Sequence, residues 1–172
     1  ILLFWGSTYL VTTQWLVGWP PMTLALLRAL PAGVLLLAFA RRLPSGIWWL
    51  RVFVLGALNI TLFLSLLFVA AYRLPGGVAG TVLSSQPLIV VFLSSLLLRT
   101  PLRPPAILAA LTGMGGVALL VLTPRATLDA IGLCAGLAGA AAMALGTTLA
   151  RRWQPAVPPL VFTAWQLTAG GL

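Results

Sequence analysis

Histidine, lysine and glutamate are absent from the 172 residues, and the acids amount to one aspartate, Asp129. Those absences exclude chemistry before any pattern is read. No cluster of His, Cys and carboxylate ligands can be assembled for a metal. Neither a Ser-His arrangement nor a carboxylate pair is available for catalysis. The chain is therefore read as not an enzyme, with no cofactor and no metal site. A proton relay of carboxylates or histidines, common in pumps, also lacks its parts. One cysteine, Cys134, allows no internal disulfide framework, and its place in an apolar run suits small-residue packing.

What is present is apolar. Hydrophobic residues make up 61% of the chain and charged residues 6%, and the mean hydropathy is +1.12, a composition suited to a bilayer rather than to water. The net charge of +9 comes from ten arginines in short clusters between apolar blocks. With no basic stripe and no recognition element, nucleic acid is excluded as a partner. A helix needs roughly 20 apolar residues to cross the hydrocarbon. Such stretches fall at 1–18, 22–40, 47–72, 78–98, 105–123 and 129–150, and a seventh begins near 157 and is cut off at Leu172. The fold class this predicts is all-α, a polytopic membrane helix bundle with seven spans visible. Short turn-rich segments such as "RRLPSG", "YRLPGG" and "RTPLRPP" connect them. The chain starts inside an apolar run with no charged segment of a signal peptide, and it is expected to be a piece of a longer membrane protein.

Arginine placement sets an expected orientation. If the first span runs from cytoplasm to outside, the inner loops and their flanks hold Arg41, Arg42, Arg51, Arg99, Arg103, Arg151 and Arg152, and the outer loops hold Arg73 and Arg125. Positive charge concentrates on the cytoplasmic side of membrane proteins. The expected location is thus the plasma (inner) membrane, multi-pass, with the first helix running outward.

The sequence also repeats. "PPMTLALLRALPAGVL" from Pro20 and "PPLVFTAWQLTAGGL" from Pro158 align at an offset of 138, which pairs Gly33 with Gly171 and Arg28 with Gln166. "WGSTYL" at Trp5 meets "LGTTLA" at Leu145 at an offset of 140. Spans one and two therefore match six and seven. A repeat of five spans, an odd number, re-enters the membrane from the opposite side, as in many transporters. Residues 1–123 form the first five-helix repeat in this reading, and 129–172 begin the second, inverted one.

Helical spacing places Trp5, Thr8, Tyr9 and Thr12, with Thr13, on one arc of the first span. Such a stripe reads as a cavity wall or as helix-helix packing with hydroxyls bonded to their own backbone. The fourth span repeats it with Gly77, Thr81, Ser84 and Ser85, followed by Gln86 and a mid-membrane Pro87, read as a cavity-lining kink. "GMGG" at Gly113–Gly116 and the stripe Gly132, Gly136, Gly139, Ala140 read as close helix packing, and Asn59 as a hydrogen bond to a neighbouring helix. Arg28 lies about 10 Å below the outer surface, seven residues into its span at 1.5 Å each. It either snorkels or faces a cavity, where its planar fork would take a substrate carboxylate. The candidate substrate-binding residues are Trp5, Thr8, Tyr9, Thr12, Arg28, Ser84, Gln86 and Gln166.

"FWGSTYL" in the first span, "PPMTLALLRALPAG" entering the second, "AAYRLPGGVAGTVLSSQPLIVVFLSSLLL" across the third loop and fourth span, and "ILAALTGMGGVALLVL" in the fifth resemble the drug/metabolite transporter superfamily, in particular its ten-helix EamA-type members. The resemblance covers essentially the whole chain. It implies two inverted five-helix halves, a central substrate cavity, alternating access and export of small metabolites or amphipathic compounds, amino-acid-like ones among them. Many members carry an acid just after the fourth span, where this chain has Thr100, which puts any role of such a carboxylate in doubt. The alternative is a structural or assembly subunit of a membrane complex, which has no need of an inverted repeat. The four-helix small multidrug exporters of the same superfamily rely on a glutamate in the first span, and none is present here. The partners implied are the lipid bilayer and a small-molecule substrate.

Overall fold

The computed structural model describes residues 20–99, 101, 104–121, 129–154 and 156–171. The first predicted span therefore lies outside the described residues. Helices run over Pro21–Ala40, Trp48–Gly56, Ala57–Leu62, Phe63–Arg73, Gly76–Leu83, Gln86–Leu98, Pro104–Val121, Ala130–Trp153 and Pro159–Gly171. They correspond within a few residues to the predicted spans two to seven, and no strand occurs among the described residues. The third span is continuous from Trp48 to Arg73, through a π-helical segment at Ala57–Leu62. By length and hydropathy Trp48–Arg73, Gly77–Leu98 and Ala130–Trp153 can each cross a bilayer.

Local chemistry sets the boundaries. Pro21 occupies the first turn of the second span, where a missing N–H costs nothing. Arg41 ends that helix at φ 47°, donating its N–H to the Leu37 carbonyl. The fourth span breaks at Ser84–Ser85. Pro87 has no N–H for the Leu83 carbonyl and its ring collides with that turn. Accordingly Ser85 N–H bonds the Val82 carbonyl, three residues back, at 3.2 Å.

Lipid tails are as apolar as leucine, so close van der Waals packing rather than water exclusion joins the spans. The sixth span supplies a groove of small residues. A methyl group at Gly132 would lie 2.8 Å from Leu74 Cγ, one at Gly136 2.8 Å from Val82 Cγ1, and one at Gly139 3.3 Å from Leu66 Cβ. The third and fourth spans thus seat side chains directly on that backbone, as the glycine stripe predicts. The "GMGG" run differs. Gly113 faces the Leu88 side chain at 3.1 Å, but Gly115 and Gly116 have nothing within 4 Å, because their face turns away from the neighbouring helices. Cys134 is exposed on the sixth span instead of packed.

The second and seventh spans press together through glycines. A methyl at Gly33 would fall 2.6 Å from Thr168 N, and one at Gly171 3.0 Å from Leu30 Cα. Carried by the offset of 138, Gly33 becomes Gly171 and Leu30 becomes Thr168. The two contacts are therefore images of each other, as across a twofold axis.

Charges separate by end. Arg51 stacks on Trp48 and Trp153, with its guanidinium carbon 5.0 and 5.4 Å from the ring centres. This brings the start of the third span to the end of the sixth. Arg41, Arg42, Arg151 and Arg152 sit at the same end, which has no acid. At the other end Arg73 and Asp129 form an ion pair at 2.9 Å.

Candidate substrate-binding site

Polar side chains of the third and seventh spans meet at the π-helical segment of the third, against a glycine of the sixth. A π segment widens the helix by one residue per turn and re-aims the side chains beyond it, and such segments recur at functional sites. Here it carries Asn59 and Thr61. Asn59 donates from Nδ2 to Gln166 Oε1 of the seventh span at 2.7 Å, and Thr61 donates from Oγ1 to the Gly170 carbonyl at 2.6 Å. Gly56 and Gly170 let the two backbones approach: a methyl at Gly56 would meet Gly170 N at 2.7 Å, and one at Gly170 would meet the Gly56 carbonyl oxygen at 2.6 Å. On the remaining side Gly146 of the sixth span lies against the Asn59 amide, leaving no room for a side chain. Asn59 Oδ1 is buried there with no hydrogen-bond partner among the described residues.

Gln166 is therefore a half-buried residue of the seam between the third and seventh spans, its amide oxygen engaged by Asn59. Its NH₂ group remains as the donor it can offer elsewhere. Asn59 bonds a neighbouring helix, as its sequence context predicts. Ser84 and Gln86 sit at the break of the fourth span, which packs chiefly on the fifth and sixth spans, so the structure does not bring them to Gln166. The three hydroxyls before Gln86 are turned inward on their own helix: Thr81 donates to the Gly77 carbonyl at 2.8 Å, Ser84 to the Thr81 carbonyl at 2.6 Å and Ser85 to the Val82 carbonyl at 2.7 Å. Ser84 itself is exposed. Trp5, Thr8, Tyr9 and Thr12 lie outside the described residues, and of Arg28 only the helical backbone is described.

Some contacts at the ends of the bundle were not anticipated from sequence. Asp129 caps the sixth span, accepting from the Ile131 N–H at 3.1 Å. The hydrogen bond from Arg73, with help from backbone N–H groups, holds its carboxyl below the usual carboxylate range. As the sole acid, Asp129 had an arginine available at its own end in Arg73, the last residue of the third span; that signal was present in the sequence. Trp165 donates from Nε1 to the Arg42 carbonyl at 2.7 Å, pinning the loop after the second span. Nothing in the sequence marks that bond, nor the π segment.

Residues 1–122 match the EamA-like transporter family. Protein PecM of Dickeya dadantii is 49% identical over 170 residues, covering 98% of this chain and 57% of its own. A WAT1-related chloroplastic protein of Arabidopsis thaliana is 30% identical over 181 residues, 98% of this chain and 43% of its own. The inner membrane transporter YedA of Escherichia coli is 34% identical over 101 residues, 56% of this chain and 33% of its own. The chain thus spans about half the length, or less, of these curated relatives. No solved structure matches it.

Proposed function

Because this chain belongs to the EamA-like transporter family, we propose that it forms the first half and the start of the second half of an exporter of small, amino-acid-like or amphipathic solutes working by alternating access. The observation that carries the reading is the reciprocal contact of Gly33 with Thr168 and Gly171 with Leu30. Residues matched by the repeat meet as matched pairs, which is what two inverted halves packed about a shared axis would give. Residues 1–123 are then one repeat and 129–172 the beginning of the other. The arginine-rich end faces the cytoplasm, following the positive-inside rule.

Arg28 and Gln166 occupy equivalent places in the two halves. With its amide oxygen held by Asn59, Gln166 offers donors only, and Arg28 offers donors only by its chemistry. Two donor groups related by the axis suit a substrate that carries a carboxylate. Trp5, Thr8, Tyr9 and Thr12 of the first span complete the wall in this reading, while Ser84 and Gln86, at the fourth-span break, stand apart from Gln166.

The test is efflux of a panel of labelled amino acids from cells producing the full-length protein. Arg28→Gln is expected to abolish export of anionic and zwitterionic solutes, and Arg28→Lys to keep only part of it, since a lysine loses the paired hydrogen bonds. Equal export by wild type and Arg28→Gln at matched expression would make the arginine structural.

A further inference from the structure

A cavity of about 190 Å³ opens between the second, third and seventh spans at the arginine-rich end. Leu37, Trp49, Val52, Phe53, Trp165 and Ala169 line it, and its walls are almost wholly apolar. Trp49 and Phe53 are each nearly half exposed, and the neighbouring Leu50 is 67% exposed, so the opening faces the surroundings of the bundle. A membrane protein presents such a surface to lipid, with tryptophan at the level of the headgroups.

The mouth is basic. Leu37 and Leu43 both line the cavity, and the chain between them carries Arg41 and Arg42, both exposed. No ion pair engages either of them among the described residues. The chain's one carboxylate, Asp129, is bound to Arg73 at the opposite end. The bond from Trp165 Nε1 to the Arg42 carbonyl holds this segment over the cavity.

We propose that this is a binding site for an anionic phospholipid, with one acyl chain in the cavity and the headgroup phosphate against Arg41 and Arg42. Basic pockets between membrane helices attract anionic headgroups in this manner. A zwitterionic lipid would fill the cavity but bring an ammonium cation beside the arginines along with its phosphate, whereas a free anion would meet the arginines and leave the cavity empty. The site rests on the chain's crossing a bilayer. It does not depend on the substrate or on the direction of transport.

The experiment uses the full-length protein in phosphatidylcholine bilayers doped with phosphatidylglycerol or phosphatidylcholine brominated on the acyl chains. Tryptophan quenching is compared between wild type and Trp49→Phe to isolate Trp49. Half-quenching of Trp49 is expected at a phosphatidylglycerol fraction on the order of tenfold below that for phosphatidylcholine. Arg41→Gln with Arg42→Gln should bring the two lipids together, while the double lysine variant and Arg151→Gln with Arg152→Gln should keep the preference. Four results would each overturn the proposal. These are equal quenching of Trp49 by both lipids in wild type, an unchanged preference in the double glutamine variant, and a Trp49 that neither lipid reaches because another segment covers it. The fourth is displacement of the brominated lipid by millimolar inorganic phosphate. Solute export is unaffected by any of these outcomes, so failure here leaves the transport reading to its own test.

Discussion

Gly33→Ala is the sharpest test of how the second and seventh spans meet. The added methyl would lie 2.6 Å from Thr168 N and 2.8 Å from the Leu167 carbonyl carbon. Both are backbone atoms of a helix and cannot turn aside as a side chain would. Carbon contacts are comfortable at about 3.5–4.0 Å, so the second and seventh spans must part by about 1 Å. A gap of that size forfeits a quarter to a half of each contact along the seam, and overpacking of this kind costs about 1–3 kcal/mol. Replacing a helical glycine returns about 0.5–1 kcal/mol. The net expectation is a loss of up to about 2.5 kcal/mol, read as a lower unfolding midpoint of the purified protein in detergent. Gly171→Ala meets Leu30 at 3.0 Å and should cost less. The double variant should cost less than the sum, because helices already parted by one methyl accommodate its image. Gly115→Ala and Gly116→Ala, with nothing within 4 Å, should be neutral or slightly stabilising. Gly33→Ala matching these two controls would refute the close packing.

The other expectations come from single contacts. In a double-mutant cycle, Asn59→Ala and Gln166→Ala should couple by about 0.6 kcal/mol, the average for hydrogen bonds between membrane helices; zero coupling would mean that the amides do not bond. Asp129 has a carboxyl pKa lowered by Arg73, so its contribution to stability is full above the unfolded carboxylate pKa and is lost as the pH falls through the lower folded one. Acid titration of the unfolding midpoint should show this limb in wild type and not in Asp129→Asn. Cysteine at Ser45 should be shielded from impermeant thiol reagents in intact cells and cysteine at Thr127 should react, and the reverse pattern would invert the proposed orientation.

The spans were legible because a bilayer imposes a length on every apolar run. The described helices accordingly start at Pro21, Trp48, Gly76, Pro104, Ala130 and Pro159, close to where hydropathy and proline put them. The glycine stripe of the sixth span was legible for a similar reason, since small residues at helical spacing serve close packing in lipid. The polar seam was only half legible. Asn59 was read as bonding a neighbouring helix, but its partner could not be named, because pairing depends on which spans touch and not on spacing within one. The π segment had no signal at all: "ALNITL" is ordinary helical sequence. What accompanies the wider turn is the pair of hydrogen bonds from Asn59 and Thr61 to Gln166 and Gly170. "GMGG" misled at Gly115 and Gly116, where spacing alone cannot say which face meets a neighbour.

The strength of the seam bears on the proposed alternating access. Two hydrogen bonds, Asn59 to Gln166 and Thr61 to Gly170, tie the third span to the seventh across the two proposed repeats. Bonds of this kind average about 0.6 kcal/mol each and reach about 1.7. Breaking both would therefore cost about 1–3 kcal/mol, a gap that leaves a minor conformation roughly 1–15% of the population. Charged pairs across the same seam would have locked it, and the described seam contains none. The one ion pair among the described residues, Arg73 with Asp129, joins the end of the third span to the start of the sixth, at the far end from the arginine cluster. A rocking of the repeats that opens the arginine-rich end can thus pivot near Arg73 and Asp129 while it exchanges only weak neutral bonds at mid-membrane.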